Sequence, residues 1–131
     1  WRRWRRWRRR DGHPLPLLQD METNEITILG DEEQIGLPLA VMQGWKYECL
    51  SAPIPPRSRV LLYTDGLDEA FPPEGDALTD QFGIQGIIGA MQEAVEFPLE
   101  QAMDHIFNKS TEVTQGAGRH DDTSVMLIER G

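Results

Sequence analysis

The run Arg59-Val60-Leu61-Leu62-Tyr63 is the tightest constraint in this chain of 131 residues. A short, unbroken apolar stretch has no polar side to turn to water, so the strand it forms needs cover on both faces. It therefore belongs in the middle of a sheet. The run stops at Thr64-Asp65-Gly66, which reads as a turn with Gly66 supplying backbone freedom. A second run of this kind, Ser124-Val125-Met126-Leu127-Ile128, follows the loop Gly116-Ala117-Gly118-Arg119-His120-Asp121-Asp122 and reads as another short buried strand.

The rest of the chain fits around these two strands. Pro14 and Pro16 flank an apolar stretch ending at Leu18, which suggests an extended edge segment. Residues 25–29 alternate polar and apolar, as a half-buried strand does, and Gly30-Asp31 marks a turn. Ile35-Gly36-Leu37-Pro38-Leu39 is a loop entering an apolar run to Met42. Trp45 to Leu50 alternates again, with Trp45, Tyr47 and Cys49 on one face. Pro53-Ile54-Pro55-Pro56 is a connector that cannot sit inside a sheet. After the polar loop from Phe71 to Asp80, Ile84, Ile87, Ile88, Met91 and Val95 form one helical stripe. Pro98 opens a second helix at its first position, along which Leu99, Ala102, Met103, Ile106 and Phe107 form another stripe. Several strands, two helices and a final strand point to an α+β or layered α/β/α arrangement, with helices packed on a largely antiparallel sheet. No internal repeat is visible.

Composition narrows the class. The length suits one modest domain, and an apolar share of 39% is enough for a packed core. The single cysteine, Cys49, excludes an internal disulfide and reads as a half-buried strand residue. With no apolar run near the ~20 residues of a membrane span and no signal-peptide pattern, a cytoplasmic protein fits best. The net charge of −9 conceals a split: residues 1–10, WRRWRRWRRR, carry seven of the thirteen basic side chains and no acid. The other 121 residues hold six basic side chains against all 22 acids, a balance of −16. Such a domain is a poor match for nucleic acid. The Trp/Arg segment has the composition of a membrane- or nucleic-acid-binding peptide, but its low complexity and abrupt end read as a tag or fusion scar. It is set apart from the domain at 11–131.

Two acidic positions stand out. Asp65 directly follows one buried strand, and Asp121-Asp122 directly precede another. If these strands are antiparallel neighbours, the carboxylates meet at one end of the sheet. Converging carboxylates repel and lose hydration, and a divalent cation between them offsets both costs. An all-oxygen site suits Mg²⁺ or Mn²⁺ better than zinc. Taken alone, an aspartate in either place is more often an ordinary turn former or solvated loop charge than a ligand.

Four stretches in order change that weighting. Leu61-Leu62-Tyr63-Thr64-Asp65-Gly66-Leu67-Asp68-Glu69-Ala70 resembles the strand–Tyr-Thr-Asp-Gly–Glu-Ala motif of bacterial PPM-type phosphatases, the protein phosphatase 2C-like enzymes of sporulation and stress sigma-factor pathways. His120-Asp121-Asp122-Thr123-Ser124 is similar to the family's Asp-Asp-x-Thr pair and closing strand. Gly12-His13-Pro14-Leu15-Pro16-Leu17-Leu18 is similar to its Gly-His-Pro-Pro-Pro-Leu-Leu segment, and Gly36-Leu37-Pro38-Leu39 to the Gly-Leu-Pro-Leu between them. The resemblance implies the C-terminal part of a layered α/β/β/α sandwich with two covering helices. It also implies a binuclear Mn²⁺ or Mg²⁺ centre that activates water for attack on phosphoserine or phosphothreonine. Carried over by position, Asp65 and Asp121 become metal ligands, and Gly66 offers its backbone near the metal. Asp122 supports the ligands from behind, shapes the loop, or lies near the substrate phosphate. Arg119 pairs with the substrate phosphate or with a neighbouring aspartate. His120 is a candidate proton donor to the leaving oxygen, whereas His13 lies in a segment the family uses structurally.

The family's first half supplies further metal-binding aspartates that have no counterpart here. Asp11-Gly12-His13 is superficially similar to the Asp-Gly-His metal motif of the eukaryotic branch, but the Pro-Leu-Pro-Leu-Leu that follows fits the bacterial segment, so Asp11 is not counted as a ligand. The resemblance therefore implies half of a site and a polypeptide with little activity by itself. Its implied partner is a phosphorylated signalling protein of the anti-anti-sigma kind, with a sensor or receiver domain often upstream. The rival expectations are a non-catalytic, phosphatase-like module that binds a regulatory partner, and a carrier for the Trp/Arg peptide.

Overall fold

The computed structural model describes residues 13–30, 43–44, 46, 51–119 and 121–131. The Trp/Arg segment, Gly36-Leu37-Pro38-Leu39, the alternating stretch with Trp45, Tyr47 and Cys49, and His120 lie outside the described residues.

The strands are β1 (Leu17–Asp20), β2 (Ile26–Ile28), β3 (Ser58–Tyr63) and β4 (Val125–Arg130). They form one antiparallel sheet in the order β2-β1-β3-β4. The apolar run of β3 takes an interior place, and five of its six residues are buried. Two placements differ from expectation. The segment after Pro14 and Pro16 is not an edge: β1 pairs on both sides, with Leu17 opposite Ile28 and Leu61. Both prolines precede the first paired residue, so their missing N–H groups take nothing from the ladder. Conversely, among the described residues β4 lies at the edge of the sheet. Only Leu127 is buried, while Met126 and Ile128 remain 59% and 39% exposed.

Three helices follow β3: α1 (Asp65–Asp68), α2 (Gly83–Glu93) and α3 (Leu99–Val113). The expected turn at Thr64-Asp65-Gly66 is in fact the start of α1. The two long helices match the two periodic stripes, with small shifts. Val95 lies beyond the end of α2, and Pro98 is the N-cap of α3, its ψ of 150° still extended. Ile87, Ala90 and Met91 of α2 and Ala102 and Ile106 of α3 pack on one face of the sheet against Leu17, Leu61, Tyr63 and Leu127. Among the described residues no helix is long and apolar enough to cross a membrane.

A buried arginine joins the layers. Arg59, on β3, is 2% exposed. Its guanidinium donates to Glu129 on β4 (2.7 Å), to the Ala94 carbonyl (2.9 Å) and to the Phe97 carbonyl (2.5 Å). Ala94 caps the end of α2, so Arg59 satisfies carbonyls that the helix cannot.

Candidate functional site

The antiparallel pairing of β3 with β4 sets Tyr63 opposite Val125. The residues just beyond this pair, 64–66 on one side and 121–124 on the other, are thereby brought together. Thr64 is the N-cap of α1 but makes no capping bond with its side chain. Its hydroxyl instead accepts from the Ser124 N–H (2.9 Å) and donates to the Asp122 carbonyl (3.3 Å), while its own N–H donates to the Ser124 carbonyl (3.0 Å). The junction is thus sewn to the final loop. Asp65, the next residue, begins the helix.

Gly66 makes the approach possible. A Cβ added there would lie 2.9 Å from the Asp121 carbonyl oxygen and closer still to the Asp122 carbonyl and Thr123 hydroxyl. What this position requires is the absence of a side chain. Its carbonyl accepts a hydrogen bond from Arg119 (2.9 Å), which is the use it has in this structure.

The carboxylates sense one another. Burial pushes the Asp65 carboxyl up, the charge of Asp121 pushes it further, and His13 opposes both. One carboxylate oxygen of Asp121 accepts the Asp122 N–H (2.8 Å). Neither Asp65 nor Asp121 has an arginine or lysine ion-pair partner among the described residues. Asp68, one turn further along α1, is pushed up to about 6 by burial and then by Asp65 and Glu69. Its Oδ1 is buried without a hydrogen-bond partner among the described residues. Tyr63 is raised to about 12 by burial and by Asp68 and Asp65. The end of the β3–β4 pair therefore gathers carboxylates whose mutual repulsion is opposed in part by His13, an electrostatic setting that favours a cation. Among the described residues, however, no group of three or more His, Cys, Asp or Glu side chains is arranged to hold one.

Beside the carboxylates is an open depression of about 480 Å³, lined by Phe107, Arg119, Asp121, Asp122 and Thr123. Of the residues singled out from the sequence, Asp65, Gly66, Asp121, Asp122 and Arg119 come together here. Arg119 bonds neither aspartate; its partners are Gly66 and α3. His13, read as structural, lies close enough to influence Asp65. Ser110, fully buried beneath α1, and Asp68 were not singled out. A lone serine on an apolar helix stripe was the only available signal for Ser110.

The fold has a known counterpart. The SiaA-PP2C domain of Pseudomonas aeruginosa superposes with a TM-score of 0.67 over 92% of this chain and 44% of that chain, at 18% identity. The present chain thus spans less than half the length of that domain. No curated protein matches it. The family model for Stage II sporulation protein E (SpoIIE) matches residues 10–131. The chain belongs to this family of PPM-type phosphatase domains.

Proposed function

We propose that the chain is the C-terminal portion of a metal-dependent phosphoserine/phosphothreonine protein phosphatase domain, with Asp65 and Asp121 as two of its metal-binding carboxylates. The observation that carries this reading is the meeting of Asp65 with Asp121, two acids from distant parts of the sequence that the β3–β4 pairing brings to one end of the sheet, where burial and then the charge of Asp121 raise Asp65. Their donor chemistry fits a hard cation, Mn²⁺ or Mg²⁺, held through oxygen. They form part of a ligand set whose other members, by the family resemblance, belong to the first half of such a domain. When bound, the metal centre would supply an activated water and a clamp on phosphoryl oxygens.

The chain's own contribution is geometric. Thr64 and Gly66 hold the start of α1 against the loop before β4, which keeps Asp65 near Asp121. The Asp122 N–H orients the Asp121 carboxylate. The depression beside them offers space for a phosphorylated side chain, and His120 remains the candidate proton donor to the leaving serine oxygen. The family match supports a protein substrate in general; the substrate in this reading is a phosphorylated signalling protein of the kind found in sigma-factor partner switching.

The test is Mn²⁺ titration of the whole chain followed by NMR. Selective paramagnetic broadening of the Asp65, Gly66, Asp121 and Asp122 amides is expected, and Asp65→Asn or Asp121→Asn should each remove it. Uniform broadening over the acidic surface would overturn the assignment. With millimolar Mn²⁺ and a phosphoserine peptide, the chain alone is expected to release little or no phosphate.

A further inference from the structure

Arg119 lies two residues before Asp121, and its guanidinium is occupied by the protein itself. One terminal nitrogen donates to the Gly66 carbonyl (2.9 Å) and to Ser110 Oγ (2.8 Å). The other donates to the Phe107 carbonyl (3.2 Å) and to Thr111 Oγ1 (2.8 Å). A guanidinium has five N–H donors, two on each terminal nitrogen. These contacts use all four terminal N–H groups and leave only the one on Nε. Arginine recognises phosphate through a fork of parallel N–H groups, and no such fork is free here. The group also lies over the Phe107 ring, 4.4 Å from its centroid.

The acceptors explain the placement. Gly66 and Leu67 belong to α1, which has only four residues and cannot satisfy its own later carbonyls. Arg119 takes the first of these carbonyls. Ser110 takes the second, donating to Leu67 at 2.7 Å while accepting from Arg119. The remaining acceptors of Arg119 lie on α3. One side chain therefore ties the helix that begins at Asp65, the loop that leads to Asp121, and the long helix behind them both. Gly118, with φ of +86°, turns the chain into this position.

We propose that Arg119 is a positioning residue: together with Ser110 and Thr111 it sets the spacing of Asp65 and Asp121 from α3, and it does not bind the substrate phosphate. The role rests on the reading of the two aspartates as cation ligands. It replaces phosphate recognition with preorganisation, and makes α3 the support on which the site is built.

The test compares the whole wild-type chain with Arg119→Lys, which keeps the charge but not the four contacts, and with the milder Ser110→Ala and Thr111→Val. In metal-free ¹H–¹⁵N spectra, each variant should shift the amides of residues 65–68 and 121–124 together. Shifts confined to the neighbours of the substituted residue would overturn the clamp. In a Mn²⁺ titration, the concentration that half-broadens the Asp65 and Asp121 amides should rise about tenfold in Arg119→Lys; an unchanged concentration counts against positioning. Inorganic phosphate, titrated without metal, should affect wild type and Arg119→Lys alike. Phosphate binding lost only in Arg119→Lys would overturn the proposal. A wild-type chain with no Mn²⁺ response at Asp65 and Asp121 removes the cation reading, while the metal-free comparison still decides the clamp.

Discussion

At Gly66 the chain passes so close to residues 121–123 that a single methyl group would displace one of them. Gly66→Ala should therefore cost about 1–3 kcal/mol, seen as a lower urea midpoint with unchanged slope; an unaltered midpoint would show that the final loop yields. At Asp68 the folded-state carboxyl is raised to about 6 from 3.8. Between these values the folded protein binds the extra proton, so stability falls as pH rises through the window. Asp68→Asn removes that dependence. Melting temperatures measured from pH 4 to 7 should decline less in the variant than in wild type, and parallel curves would contradict the assignment. The neighbouring pair behaves similarly when no metal is present. Asp121→Asn relieves the repulsion on Asp65 and should stabilise the metal-free chain by about 0.5–1 kcal/mol, a modest gain because Asp65 is partly solvated. The same variant should lose any rise in melting temperature produced by Mn²⁺.

The helices show what periodicity resolves and what it does not. Leu99, Ala102, Met103, Ile106 and Phe107 mark one apolar stripe, yet α3 buries Ala102 and Ile106 fully and leaves Leu99 and Phe107 more than a third exposed. Ile106→Ala should cost about 2–5 kcal/mol, and Phe107→Ala clearly less, as denaturant unfolding would show. Equal losses would mean that Phe107 is more deeply packed than its exposure indicates. The β3 strand was legible because an unbroken apolar run has one stable environment. The edge position of β4 was not, since its equally apolar run carries no mark of which neighbour it lacks. Asp65 was legible as a strand-end acid but not as a helix start: four helical residues are too few to create a period. The meeting of Asp65 with Asp121 depended on which strands pair, a long-range choice that no local pattern records. Ser110 and Arg59 were obscured for a related reason. Their polar groups serve carbonyls exposed by helix ends elsewhere in the chain, and such acceptors exist only after folding.

Across the molecule, helices cover one face of the sheet, and Met126 and Ile128 lie exposed on the other. An edge strand with apolar side chains is prone to pair with another copy. Replacing both residues with lysine should reduce concentration-dependent association in sedimentation velocity while leaving the melting temperature nearly unchanged. A marked loss of stability would instead assign these side chains to the fold. The β3–β4 register has a consequence for the birth of the protein. Tyr63 and its partner Val125 are separated by about 60 residues, and ribosomes add roughly 5–20 residues per second. A nascent chain therefore carries Asp65 for several seconds before its counterpart is made. During that interval the acid can form no paired site and cannot compete for cations as one. Assembly of the site is timed by completion of β4, so a message truncated just before β4 would yield a product that holds both acids but lacks the strand whose pairing with β3 brings them together.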